Sequence, residues 1–258
     1  ATTLQGVIEL ETVYINFLGV IWATPVVTSD GSLPAGVRLD ITGNGQASLP
    51  QVNHGTITVT PTDSMTLWAP VRFLDNAGSF TINASPARVR MEVDSVENSG
   101  TLTLGGPADF PTLARIHNRG TITSSTAAPL DLGGADFVAE SGSSQSGPLS
   151  LAGGVLSGAG AVGNVTSVGG TISPGATPAS PALPGLGTLT LASLFLDPAS
   201  TVSLDIAGTA PDKHDLLAVT GLVVYNGALR LIESSGFLGG HCGEVVPIVT
   251  DGSFPLVR

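Results

Sequence analysis

Charged side chains are scarce in this chain of 258 residues: Asp, Glu, Lys and Arg make up 11% of it, against the ~25% that is usual for a globular domain. Lys213 is the single lysine, and the net charge is −11. Because phosphate groups are bound by clustered Lys and Arg, this composition argues against nucleic acid as a partner. It argues in the same way against an anionic membrane surface.

Cysteine, aromatic side chains and long apolar runs are scarce as well. Cys242 is the only cysteine, so it is expected to be buried as a small apolar group, to stay a free thiol or to pair between chains. Aromatic residues make up 5% of the chain, too few for a core of large aromatic side chains. The most apolar early stretch, 13–27, is too short to span a bilayer, which predicts that this chain inserts no segment into a membrane.

What the sequence has instead is glycine, proline and short runs of β-branched and aliphatic residues. Glycine contributes 34 residues and proline 18, while 42% of all residues are apolar. Runs such as VRLDITG, GTITVTP, VRMEVDSV and TVSLDIAG alternate or stay apolar between Gly, Pro, Asn or Asp, which is typical of strands. Helical periodicity is almost absent, and the stretches with room for a helix are all short, for instance 111–116. The chain is therefore predicted to be all-β.

One phrase returns four times in the first half of the chain: Asn-x-Gly, followed by a hydroxyl-bearing residue, an apolar residue and a threonine. The steps between successive asparagines are 23, 22 and 20 residues. The corner residues are Asn53 and Gly55, Asn76 and Gly78, Asn98 and Gly100, and Asn118 and Gly120. The apolar residues at the centres of the triplets are Ile57, Phe80, Leu102 and Ile122.

A fixed period of this size indicates stacked repeat units. The phrase predicts a parallel β-helix with coils of about 20–23 residues, in which each coil adds a rung ~4.8 Å above the last. The asparagines would form a ladder at one corner, the apolar centres would stack in the core, and the threonines would line the outer face. The corner glycines are expected to adopt positive φ. The alternative is a sandwich whose strands are joined by hairpin turns.

Three regions are distinguished along this predicted solenoid. Residues 1–50 form an N-terminal cap and the first coils, residues 51–155 carry the Asn-x-Gly-Thr corners, and residues 156–258 form a C-terminal β-helix region. The stretch PGATPASPALPGLG, 174–187, interrupts the last region. It is expected to be either a linker between domains or an excursion from one continuous solenoid, because the strand pattern resumes immediately after it.

The C-terminal region carries a second set of phrases. LSGAGAV at 156–162, GNV at 163–165, GGTISPG at 169–175 and GTLT at 187–190 stand in this order. They resemble the passenger-associated transport repeat of bacterial autotransporter-type surface proteins. HDLLAVTGLVVYNGALRLI at 214–232 and SGFLGGHCGEVVPIVTDGSF at 235–254 resemble the stretches that follow in such proteins. The resemblance thus covers about 100 residues, and the first half of the chain shares only the general Asn-x-Gly-Thr style.

The resemblance implies a single-stranded right-handed parallel β-helix that is exported and displayed outside the cell. It implies an adhesin, a stalk or a secretion-linked folding role, and no catalytic residues. One feature departs from the family pattern, since the proline-rich stretch after Gly175 is longer than the usual compact turn.

Residues that could carry chemistry are few and scattered. The four histidines lie in separate stretches, and the most charged stretch is DKHD at 212–215. Its carboxylates and imidazole suit a divalent metal or acid–base chemistry, but its simpler interpretation is a polar turn before a strand. No catalytic residue, metal site or cofactor is predicted. The other carboxylates considered for a polysaccharide-degrading groove, which form no repeated pair, are Asp63, Asp75, Asp94, Asp109 and Asp136.

These observations favour a non-catalytic structural or adhesive β-solenoid that is extracellular or displayed at the cell surface. Its expected partners are other copies of itself, or the glycans and proteins of neighbouring or host surfaces. One alternative is a subunit of an extracellular filament that stacks head-to-tail, with 13–22 and 244–257 as the contacts at its two ends. The other alternative is a polysaccharide-degrading β-helix enzyme, whose activity would depend on His214 or Asp215.

Overall fold

The computed structural model describes residues 7–9, 22–23, 31–125, 129–175, 185–210, 212–233 and 249–251. Regular structure within these ranges consists of 27 strands and one short 3-10 helix, Pro70–Arg72. No helix forms around 111–116, where residues 111–112 make a turn and the strand Arg115–Asn118 follows. This strand alternates between half-buried and buried side chains, a two-residue period that no helix provides.

The chain divides into two compact units, Ala1–Asp131 and Leu132–Arg258. The strands of the first unit are β1 (Val7–Glu9), β2 (Trp22–Ala23), β3 (Ser32–Leu33), β4 (Arg38–Ser48), β5 (Val52–Asn53), β6 (Thr56–Trp68), β7 (Phe73–Asn76), β8 (Ser79–Ile82), β9 (Val89–Glu92), β10 (Ser95–Asn98), β11 (Thr101–Leu104), β12 (Ala108–Asp109), β13 (Arg115–Asn118), β14 (Thr121–Ser124) and β15 (Leu130–Asp131).

The strands of the second unit are β16 (Asp136–Ala139), β17 (Ser144–Ser146), β18 (Pro148–Ala152), β19 (Val155–Gly158), β20 (Ala161–Val168), β21 (Thr171–Pro174), β22 (Thr188–Leu196), β23 (Thr201–Ile206), β24 (Leu216–Val219), β25 (Val223–Tyr225), β26 (Ala228–Glu233) and β27 (Val249–Asp251). Several predicted features lie outside the described residues. These are most of 13–22 and of 244–257, residues 176–184 of the proline-rich stretch, Cys242 and His241.

The strand pairs of the first unit run parallel in two sheets. One sheet contains β3, β5, β7, β10 and β13 in sequence order. In the other, β4 pairs with β6, which continues to β8, β11 and β14 and, farther along the same strand, to β9 and β12. Each coil thus adds one rung to both sheets before the next coil begins. The predicted all-β parallel β-helix is confirmed, and the antiparallel sandwich is excluded.

The second unit repeats this parallel arrangement. One sheet contains β16, β19, β21, β23 and β26. The other passes from β17 and β18 through β20 and β22 to β24, β25 and β27. In the sheet that begins with β16, the strands β16, β19 and β21 end at Ala139, Gly158 and Pro174. These three residues lie in register. No asparagine occupies these three positions, so the corner of this unit is built differently.

The core of the first unit is a set of stacked apolar side chains. Ile57, Phe80, Leu102 and Ile122 lie in one in-register column, and none is more than 2% exposed. Burying an aliphatic or phenyl side chain of this kind contributes about 1.5–3 kcal/mol. This apolar column therefore anchors the buried side of the three-residue strand segments that follow each Asn-x-Gly corner. The other side of these segments faces solvent.

Candidate functional site

The corner that joins the two sheets of the first unit contains a column of buried asparagines. Asn53, Asn76, Asn98 and Asn118 are aligned through neighbouring strands, and none is more than 1% exposed. Each Nδ2 donates to the next Oδ1: Asn53 to Asn76 at 2.7 Å, Asn76 to Asn98 at 2.7 Å and Asn98 to Asn118 at 2.8 Å. We call this set the asparagine column. Side chains this polar are stable in the interior because their hydrogen bonds are made.

The asparagine column also holds the backbone that follows it. Besides its asparagine neighbour, each Nδ2 donates to a backbone carbonyl at the start of the triplet on the next coil. These bonds run from Asn53 to Ser79 (3.1 Å), from Asn76 to Thr101 (3.0 Å) and from Asn98 to Thr121 (3.2 Å). The column begins at Asn53 because Leu33 occupies the aligned position before it. Oδ1 of Asn53 accepts from the N–H of Gly55 instead, at 3.0 Å.

The corner glycines are required for a reason other than the expected one. None of Gly55, Gly78, Gly100 and Gly120 has φ in the left-handed region, so the prediction of positive φ is wrong. Their constraint is the contact between coils: a Cβ on Gly100 would overlap the carbonyl oxygen of Gly78, and equivalent overlaps face the other three. The N–H of Gly100 donates to the backbone oxygen of Asn76 at 2.9 Å, which leaves no room for a side chain.

Beside this corner, the first unit presents two columns of hydroxyl groups to solvent. They are Thr56, Ser79, Thr101 and Thr121, and Thr58, Thr81, Thr103 and Thr123. We call these eight side chains the hydroxyl face. The threonines of the first column are exposed and the other five residues are half-buried. Because successive side chains of a strand point to opposite faces, the buried core column between them directs both hydroxyl columns outward.

The borders of the hydroxyl face differ in kind. On the preceding rung the aligned residues are Arg38 and Asp40, which form an ion pair with each other at 2.7 Å. Farther along the strands, Nδ2 of Asn83 donates to Oγ1 of Thr60 at 2.8 Å. The face is thus an uncharged array with a neutralised ion pair at one end.

Four of the five scattered carboxylates considered for catalysis make structural contacts. Asp94 pairs with Arg72 at 3.1 Å, and Asp109 pairs with Arg88 at 2.6 Å. Such exposed pairs typically contribute about 0–1 kcal/mol. Oδ1 of Asp136 accepts the N–H of Val155 at 3.0 Å, and Oδ1 of Asp63 accepts the N–H of Ser64 at 2.7 Å. In the part of the chain that the structure describes, no group of three or more His, Cys, Asp or Glu residues could hold a metal ion.

Sequence reasoning missed a charge cluster around Glu97. Its carboxylate lies 3.3 Å from Arg115, 2.8 Å from Nδ1 of His117 and 3.6 Å from Arg119. Asp75 is aligned with Glu97 on the other side. The repeat spacing in the sequence could have indicated this cluster. Glu97 and His117 are 20 residues apart, and each directly precedes an asparagine of the column on successive coils.

The charged stretch 212–215 is divided between the surface and the interior. Asp212 and Lys213 are exposed and pair at 3.4 Å, in agreement with a polar turn. His214 and Asp215 are buried, which a polar turn does not predict. Among the described residues, Nδ1 of His214 has no hydrogen-bond partner.

The carboxylate of Asp215 joins two separate segments of the second unit. Oδ1 accepts the N–H of Gly187 and Oδ2 accepts the N–H of Asp205, each at 2.9 Å. Burial raises the pKa of Asp215 from 3.8 to about 6, although both N–H bonds act to lower it, and the charge of Asp205 adds a smaller rise. Burial also raises the pKa of Asp205.

We expect Asp215 to make the protein more stable at pH 4 than at pH 7. Because its pKa is higher in the folded state, that state binds more protons between about pH 4 and pH 6, and the free energy of unfolding falls as the pH rises through this window. The shift to about 6 corresponds to at most about 3 kcal/mol. Urea unfolding of Asp215→Asn should lack this contribution, whereas Asp212→Asn, on the exposed half of the turn, should retain it. An Asp215→Asn variant with the wild-type pH dependence would contradict the assignment.

The hydroxyl face is the candidate functional site, because it is an ordered array of solvent-facing groups held by a buried scaffold. The ranges that the structure describes include no helix long and apolar enough to cross a membrane. In comparisons with known proteins, no protein-family model, no curated protein and no solved structure matches the chain.

Proposed function

We propose that the protein is an exported, non-catalytic adhesive β-solenoid that holds its target through the hydroxyl face. The observation that carries the proposal is the in-register array of eight hydroxyl side chains on β6, β8, β11 and β14. The target is a surface outside the cell. The order of the phrases in 156–190 supports export through their resemblance to autotransporter-type passenger repeats.

Adhesion through many weak bonds suits an array of this kind. A hydroxyl group has one donor and two acceptor lone pairs, and a neutral hydrogen bond contributes about 0.5–1.5 kcal/mol net. The branched Cβ of threonine restricts χ1, so little rotamer entropy is lost when the hydroxyl is bound. Because the face is uncharged, its binding should depend little on ionic strength.

Removing two hydroxyl groups from the centre of the face should weaken adhesion. In the Thr101→Val and Thr103→Val double variant, we expect binding to a glycan array or to intact cells to fall about tenfold or more, since two hydrogen bonds are lost. Valine preserves the side-chain shape. Thr166→Val, at an exposed threonine of β20 outside the face, is the matched control. Undiminished binding by a folded double variant would show that the target is held elsewhere.

A second candidate function, the head-to-tail filament subunit, is favoured by one observation in the second unit. β26 pairs with β23 so that Leu229 and Leu231 align with Val202 and Leu204. The latter two are buried, whereas Leu229 and Leu231 are 45% and 44% exposed. A further rung on β26, supplied by a second copy, would cover both leucines. Such a contact is heterologous and continues into a filament.

Electron microscopy of the purified chain tests this second candidate. Filaments are expected in the wild type and should be absent in Leu231→Lys, because the contact would bury an unpaired charge. Leu222→Lys, at a residue that is 72% exposed and outside β26, should leave the filaments intact. Isolated particles at every concentration of the wild type would rule out stacking.

A further inference from the structure

The spacing of the hydroxyl face limits what it can match. Within one strand, outward residues such as Thr101 and Thr103 are two positions apart, about 6.6 Å in a parallel sheet. Between strands, aligned residues such as Thr101 and Thr121 are separated by the strand spacing of about 4.8 Å. Because four strands align without a shift in register, the hydroxyl groups form a nearly rectangular net with these two repeats.

Water in ice repeats at similar distances, as its hydrogen-bond length requires. Hydrogen-bonded oxygens lie about 2.75 Å apart, and tetrahedral bonding then places second neighbours about 4.5 Å apart. Along the axis on which puckered six-membered rings stack, the same bond length gives a repeat of about 7.3 Å. The two repeats of the hydroxyl net therefore lie within about a tenth of the two repeats of ice.

We propose that the hydroxyl face binds ice, by holding a layer of water in the positions of the ice lattice. The inference rests on the proposed adhesive function and names its target. The face is uncharged, as ice is, because none of its eight side chains is ionisable. The charges of Arg38 and Asp40 on the preceding rung compensate each other in their ion pair.

The side chains of the face are held in place before they meet water. The asparagine column fixes the backbone carbonyls of Ser79, Thr101 and Thr121, and the branched Cβ of threonine limits rotation about χ1. A hydroxyl group can bond water through one donor and two acceptor positions, and the threonine methyl groups occupy the space between the bonded waters. Ser79 departs from this pattern, because it lacks the methyl group and has more freedom at χ1. It is the weakest point of the net.

Ice adsorption of the whole purified chain tests the inference. The fluorescently labelled protein is expected to enter a growing ice hemisphere and to inhibit ice recrystallisation. Thr101→Tyr should need about tenfold more protein for the same inhibition, because the loss of one or two hydrogen bonds corresponds to an affinity about tenfold lower. Ser79→Thr should act at a lower concentration than the wild type, because it completes the net. Thr166→Tyr, outside the face, is the control and should match the wild type.

The outcomes separate ice binding from adhesion in general. Exclusion of the wild type from ice overturns the inference, as does an equal loss in Thr101→Tyr and Thr166→Tyr, or weaker ice binding by a folded Ser79→Thr. A wild type that is excluded from ice but binds glycans in a Thr101-dependent manner removes ice as the target and leaves adhesion standing. Failure in both assays removes the adhesive function as well. Circular dichroism of each variant at the assay temperature establishes that it is folded.

Discussion

Replacing Gly100 with alanine should destabilise the protein by about 3 kcal/mol or more. The new Cβ would overlap the carbonyl oxygen of Gly78 and crowd the backbone of Ala77. That carbonyl accepts the N–H of Thr101 at 2.8 Å, so moving the coils apart to relieve the overlap would break hydrogen bonds between them. Urea unfolding measures the loss as a lower midpoint at an unchanged slope.

A second glycine, Gly36, distinguishes the destabilisation caused by a contact between coils from that caused by backbone conformation. Gly36 has φ +79° and no atom within 4 Å of an added Cβ, so Gly36→Ala should cost about 1 kcal/mol and Gly36→Asn still less. Gly100→Asn should be as damaging as Gly100→Ala, because asparagine tolerates positive φ but does not relieve an overlap. If Gly100→Asn were as stable as the wild type, the close contact with Gly78 would be wrong.

Replacing Asn98 with alanine should cost about 3–5 kcal/mol, because four hydrogen bonds of its side chain, two of them buried, are lost together. Nδ2 of Asn76 loses its acceptor at 2.7 Å. Oδ1 of Asn118 and the carbonyl oxygen of Thr121 lose the donor that lies 2.8 Å and 3.2 Å away. The substitution also removes packing volume from a buried position, so the effect should exceed that of an ordinary surface substitution several-fold.

Asn226→Ala is the matched control for Asn98→Ala. Asn226 lies between β25 and β26, but its side chain is exposed, and its substitution should change stability by about 0.5 kcal/mol or less. Thermal and urea unfolding of both variants give the comparison. Similar small losses in the two variants would show that the asparagine column contributes little to stability.

The parallel β-helix could be predicted because its repeat is carried by residues that must align. Asn76 and Asn98 mark the same point of successive coils, 22 residues apart, and the triplets after them have the two-residue period of a half-buried strand. Once one pair of asparagines is aligned, the register of the triplets follows. The outward direction of Thr101 and Thr103 follows from the inward direction of Leu102 in the same way.

The role of the corner glycines could not be predicted, because Asn-x-Gly fits two explanations equally well. A left-handed turn is a local property, whereas the contact of Gly100 with Gly78 depends on the backbone of another coil. The burial of Asp215 was missed for the same physical reason. It lies in the most charged stretch of the chain, and its partners Gly187 and Asp205 are 28 and 10 residues away, so no local pattern connects them.

The asparagine column has a direction, and this affects how the first unit opens. The Nδ2 groups of Asn53, Asn76 and Asn98 all donate toward the following coil, each to the Oδ1 of the next asparagine, so the dipoles of these amide groups add along the column. Hydrogen bonds in such a chain polarise one another, and a bond in a long chain is stronger than the same bond in a short one. A partly formed column is therefore less stable per coil than the complete one. We therefore expect the corner to open as one cooperative block rather than by fraying coil by coil, with partly stacked intermediates sparsely populated.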